Sequence, residues 1–258
     1  MNTPRLRFLP LLLAASIAYA QDLAPDKLVE KAIEHAGGWD AWLGTKTIQF
    51  RKTVLRFEPD GKLKETRVQY HKYILQPSPQ MRIEWESNGS KGVMINDGQQ
   101  AWKLVNGKQA TSQEDINAAR GNTFGSHYVF GMPFKLRDPG TILTDAGMAT
   151  LEDGTVVRKI RTTYEKGAGD AGGMHTWTYM FDQQTGRLAA NHLEFAPGKF
   201  DWTEYFDEKP FGALVMATRR VGYDADANGK VGPKRSETTY DQIQTNVEYP
   251  HDWFKPPR

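Results

Sequence analysis

Cysteine is absent from all 258 residues. That excludes disulfides, a thiolate nucleophile and Cys-ligated metal, and with them the lipid-bearing N-terminal cysteine of a bacterial lipoprotein. No H-E-x-x-H, no G-x-S-x-G and no glycine-rich loop between a strand and a helix occurs, so zinc-protease, α/β-hydrolase and nucleotide-binding signatures are missing. The six histidines, at 35, 71, 127, 175, 192 and 251, are scattered without metal-ligand spacing. No apolar run reaches the about 20 residues that cross a bilayer. An excess of one charge sign is also lacking, with 33 basic against 31 acidic residues. No cofactor, resident metal or nucleic-acid partner is expected from such a chain.

What is present begins with an export signal. Arg5 and Arg7 form a basic start, Phe8 to Ala15 is an apolar run broken once by Pro10, and Ala18-Tyr19-Ala20 is a small-residue cleavage site before Gln21. A periplasmic or secreted product cut after Ala20 is expected, and its loss of two arginines and no acid leaves the mature chain formally neutral. About 240 residues without disulfides suffice for one core, so residues 21–258 read as a single domain.

Leu28, Val29, Ala32, Ile33 and Ala36 share one face at helical spacing, with Gly37-Gly38 as the stop and Trp39 and Trp42 in a tight connector beyond it. From Thr45 the period changes to two. Five strands follow, with turns at Asp60-Gly61 and Asp97-Gly98, and Met81, Ile83 and Trp85 alternate with charged residues. Thr111 to Glu114 has the form of a capping box and opens a second helix carrying Ile116, Ala119, Thr123, Phe124 and His127, closed by Gly131 and Pro133. Strands resume after Asp138-Pro139-Gly140, the first drawn at Ala149–Asp153, with turns at Asp153-Gly154, Thr185-Gly186 and Pro197-Gly198. The expectation is a mainly β (α+β) chain: a curved antiparallel half-barrel of 10 to 12 strands, with an N-terminal and a central helix over its concave face.

An exported, cysteine-free meander with an N-terminal helix is similar to the LolA/LolB-like superfamily. Three stretches resemble a narrower exported family within it: Glu34-His35-Ala36-Gly37-Gly38-Trp39, the "PFKL-DP" segment Pro133 to Pro139, and Trp253-Phe254-Lys255-Pro256. The resemblance implies a half-barrel closed over a helical plug and a preference for hydrophobic, lipid-modified cargo. It implies no catalytic residues.

The candidate site rests on aromatics, of which the chain has 29. Trp85, Trp102, Trp177, Tyr179 and Phe195 are expected to line an apolar ligand cavity. Tyr128, Phe130, Met132 and Phe134 are expected to cover it as a lid, or to fill it as a fixed plug. The partner so implied is a hydrophobic or acyl-chain ligand, with an envelope protein as a possible receiver. Two alternatives stay open. The acidic residues Asp201, Glu204, Asp207 and Glu208 invite a carboxylate-dependent hydrolase, and an open sheet edge would suit a protein-interaction module. Asp224, Asp226, Asn228 and Gly229 imitate a calcium loop, but Arg235 stands where the closing glutamate belongs. Asn88-Gly89-Ser90 reads as a turn.

Overall fold

The computed structural model describes residues 24–87, 89–250 and 252–255. The cleavage signal, Asn88, His251 and Pro256 lie outside them. Helix α1 (Pro25–His35) buries Leu28, Val29, Ala32 and Ile33, the stripe its spacing predicts. The connector after it is itself a short helix, α2 (Gly38–Gly44), which buries Trp42. Gly37 makes this corner possible. It sits at φ +113°, and a Cβ there would lie 2.4 Å from the Ala213 carbonyl oxygen.

Strands β1 (Thr47–Phe57), β2 (Leu63–Ile74), β3 (Gln80–Ser87), β4 (Ser90–Asn96), β5 (Ala101–Val105) and β6 (Lys108–Gln109) form the first meander. Helix α3 (Gln113–Phe130) and a 3-10 turn at Phe134–Arg137 follow. The second meander is β7 (Thr141–Thr150), β8 (Val156–Tyr164), β9 (Thr176–Asp182), β10 (Leu188–Ala196), β11 (Lys199–Phe211), β12 (Leu214–Ala225) and β13 (Val231–Thr245). All are antiparallel neighbours in one sheet of order β6-β5-β4-β3-β2-β1-β13-β12-β11-β10-β9-β8-β7.

The described residues thus hold 13 strands. The additional one is the two-residue β6, too short to show periodicity. The strand drawn at Ala149–Asp153 instead begins at Thr141 and ends at Thr150. Its burial does not alternate cleanly, because a bulge falls between Asp145 and Met148. The Asp145 carboxylate accepts from the Arg158 guanidinium of β8 at 2.6 Å.

The two meanders meet in the middle of the sheet. The first and last strands pair there, with Ile48 opposite Thr245 and Arg56 opposite Ser236. The sheet's two outer strands, β6 and β7, are the two that α3 joins, so the helix runs between them across the concave face. Its start is set one residue later than the capping box in the sequence. Ser112 Oγ accepts from the Asp115 amide at 3.1 Å and donates to the Asp115 carboxylate at 2.6 Å. Lys103 of β5 donates to the same carboxylate at 2.6 Å.

The core lies under α1, α2 and the segment after α3. Phe134 stacks on Trp42 with ring centroids 4.5 Å apart, and Phe130 stacks on Phe50 at 5.0 Å. Leu214 and Met216 of β12 and Ile48 of β1 complete this end of the concave face. A smaller cluster, Val157, Met180, Ala190 and Trp202, packs on the convex side.

Candidate functional site: a groove between the central helix and the sheet

The concave face changes chemistry along its strands. On β1 the inward positions run Ile48, Phe50, Lys52, Val54, Arg56. The first two are buried in the core, and the last three line open space. Leu214 and Met216 of β12 are buried in the same way, while Arg220 and Gly222 further along the strand line the space. The groove left between this half of the sheet and α3 has two adjoining chambers of about 350 and 270 Å³, which share Lys52, Asp201, Thr203, Gly222, Ser236 and Thr238. Asn122, Gly125, Ser126 and Val129, on one side of α3, form its roof.

Val129, Trp177, Leu193, Tyr205 and Tyr240 give the inner chamber an apolar and aromatic side, and Ser126, Asn191, Asp201, Thr203 and Arg220 give it a polar one. The outer chamber is walled by Lys52, Arg56, Arg67 and Arg235. Asp201 is the carboxylate in both linings, and it accepts from the Arg235 guanidinium at 2.6 Å. Desolvation pushes the Asp201 carboxyl up, against the pull of Arg235. Burial lowers the Lys52 ammonium to about 8, and Arg220, Arg67 and Arg56 add repulsion. The Arg220 guanidinium lies between the rings of Tyr205 and Tyr240, 5.1 and 4.9 Å from their centroids.

Of the nine aromatic and apolar candidates, Trp177 lines the groove directly. Tyr179 stacks beneath it, centroids 5.4 Å apart and planes 6° from parallel, and is fully buried. Tyr128, Phe130, Met132 and Phe134 are all buried in the core cluster, so the aromatic segment packs as a plug. The Tyr128 hydroxyl hydrogen-bonds to that of Tyr164. Trp85 lies over Gly92 of the next strand, where a Cβ would meet its ring at 2.1 Å, and Trp102 is buried on β5. Phe195 is half-buried on β10 and lines neither chamber. Six of the nine, Tyr128, Phe130, Met132, Phe134, Trp177 and Tyr179, thus pack in one core cluster, and of these Trp177 also faces the open space.

The four acidic residues do not converge. Asp201 is held in the groove, Glu204 accepts from the Tyr223 hydroxyl at 3.3 Å, Asp207 pairs with Arg219 at 2.8 Å and Glu208 with His35 at 2.9 Å. In the calcium-like loop the Asp226 carboxylate accepts from the amides of Asn228 and Lys230, which closes the turn, and Asp224 pairs with Arg235. No group of three His, Asp or Glu side chains among the described residues could hold a metal.

Sequence reasoning missed Lys52, Arg56, Arg67, Arg220 and Arg235. The signal was available: the inward positions of β1 switch from Ile and Phe to Lys and Arg after one strand half. Hydropathy averaged over both faces hides that switch.

No family model matches the chain, and no curated protein matches it in sequence. Solved structures do. A LolA superfamily protein from Nitrosomonas europaea superposes with TM-score 0.57 at 11% identity, over 91% of this chain and 98% of that one. A DUF1329 family protein from Desulfovibrio piger gives 0.54 at 11%, covering 90% and 97%. A putative outer membrane lipoprotein-sorting protein domain from Vibrio parahaemolyticus gives 0.55 at 11%, again covering 90% and 97%. At such low identity the likeness speaks for architecture, and the curved, unclosed sheet with helices in its concave face is that of these proteins: the chain has the LolA-like fold.

Proposed function

We propose that the protein is an exported, non-catalytic carrier that binds a lipid-like amphiphile in the groove between α3 and the sheet. The observation that carries this reading is the inner chamber, where Trp177 and Leu193 of the sheet face Val129 of the helix roof across an apolar side. Burying an acyl chain against it gains ~25 cal/mol per Å² removed from water, before the cost of ordering. The fold likeness supports the reading, since one neighbour is described as a lipoprotein-sorting domain. The signal-like first twenty residues support an envelope location, and no helix among the described residues is long and apolar enough to cross a membrane. Trp177, backed by the buried Tyr179, is the contact wall in this reading, and the plug of Tyr128, Phe130, Met132 and Phe134 sets its depth.

The test is native mass spectrometry of the protein recovered from a periplasm, followed by solvent extraction. A bound acyl-chain molecule is expected. Leu193→Glu, at a half-buried wall position, should lose it while the circular dichroism spectrum is unchanged. An apo mass that takes up no added lipid would overturn the carrier reading.

A further inference from the structure

Several cations elsewhere in the molecule are matched by acids. Arg51 pairs with Asp241, Arg82 with Glu84, Arg137 with Glu30, and Lys135 with Asp138. In the groove Arg67 pairs with Glu65 and Arg235 with Asp201. Among the described residues three other cations there are unmatched: Lys52 and Arg56 have neither an ion pair nor a side-chain hydrogen bond, and Arg220 has no carboxylate partner. Arg220 spends one amine on the Val129 carbonyl at 3.3 Å, and its Nε is buried without a partner. The indole Nε1 of Trp177, in the same inner wall, is a second buried donor without one. Asp201 does not compensate them, since it is engaged by Arg235.

A partly desolvated cation without an anion costs folding free energy, and arginine cannot shed its proton to escape the cost. Such a constellation is stable enough to keep only if the molecule gains something from it. Arginine's planar fork and the lysine ammonium together suit an oxyanion, and Ser236 and Thr238 add hydroxyls beside them.

We infer that the groove is a binding site for an oxyanion, a phosphate or carboxylate, held between Lys52 and Arg220 where the inner chamber, with its apolar side, meets the cationic outer one. The inference deepens the carrier reading and rests on it for the ligand's tail: the preferred ligand is an amphiphile with an anionic head. The tail lies against Val129, Trp177 and Leu193, and the head faces Lys52, Arg220 and, at the mouth, Arg56 and Arg67.

The test uses delipidated, full exported protein and calorimetric titration with three probes of known composition: dodecyl phosphate, dodecanol and inorganic phosphate. Dodecyl phosphate should bind at least about tenfold more tightly than dodecanol. Lys52→Met and Arg220→Met should erase that preference, and Lys52→Arg should keep it. Thr238→Asp guards against a variant that fails to fold. It removes no cation and sets a carboxylate directly across the strand pair from Arg220, so it should abolish the preference by occupying the site from within. Equal affinity for dodecyl phosphate and dodecanol, unaltered by these variants, would overturn the inference and leave the carrier reading standing. Micromolar binding of inorganic phosphate with no uptake of either amphiphile would support the oxyanion site and overturn the carrier reading. Binding of none of the three would overturn both.

Discussion

A lysine set among three arginines on a concave sheet face is a local liability that can be measured. The folded protein holds the Lys52 proton less tightly than the unfolded chain does, its value falling from 10.5 to about 8 through burial and the nearby Arg220, Arg67 and Arg56. Below about pH 8 both states are protonated, and the folded state carries the whole penalty. Between about 8 and 10.5 the folded state releases the proton while the unfolded chain retains it, so this lysine makes stability rise with pH. Lys52→Met should therefore raise stability at pH 7 by about 1 to 2 kcal/mol, less than the full shift implies because the side chain keeps some solvent contact. The gain should shrink as the pH passes 9. Urea unfolding at pH 7 and pH 10 checks both parts, and a variant no more stable at pH 7 would sink the account. Burial raises the Tyr205 hydroxyl above its ordinary value, so it should stay neutral through this window in the folded protein, which ultraviolet titration reads directly.

At the scale of single elements, α3 has apolar and small residues on opposite sides, because it packs on β3 to β5 with one and roofs the groove with the other. Ala119 is fully buried against Ile83, Met94 and Ala101, and Asn96 donates to Thr123 at 3.1 Å. Such a helix has little amphipathic signal of its own and depends on its ends. Ser112→Ala should lower stability by about 1 kcal/mol, read from the urea midpoint. An unchanged midpoint would mean that the Lys103–Asp115 pair fixes the helix start unaided. The cap also shows how far sequence carried. The hydroxyl-and-acid pattern located the helix correctly, but Thr111 and Glu114 compete with Ser112 and Asp115 for the role, and only Lys103 on β5 breaks the tie. The stripe of α1 was legible because one face meets the core. Helix α2 was not, since seven residues give two turns and its tryptophans read equally well as a connector. Strand alternation told which residues share a face with Ile48 and Phe50. It could not tell that α1, α2 and the plug cover only half of that face, and the groove is the uncovered half.

For the whole molecule the governing fact is the central seam. The residues that meet there are nearly two hundred positions apart in the chain, as in the Arg51–Asp241 bridge and the Tyr249 hydroxyl on the Ile48 carbonyl at 2.8 Å. Neither meander has its full set of neighbours until β13 docks on β1, and contacts of such long range slow folding. A chain ending before Val231 should therefore lose cooperative thermal unfolding altogether rather than melt a few degrees lower. Differential scanning calorimetry distinguishes the two outcomes, and a sharp transition in the truncated chain would show that β1 to β12 suffice.

The unclosed sheet also leaves β7 with one side of its backbone unpaired, and an exposed edge of that kind invites a second copy to add itself as the next strand. The bulge at Asp145–Met148, with Gly147 at φ +79° and an aspartate anchored to Arg158, twists the edge where a straight partner would dock. At the opposite edge β6 offers only two residues. The same irregularity that blurred the strand in the sequence thus protects the protein from self-templated aggregation, without a disulfide or a closed barrel to do so.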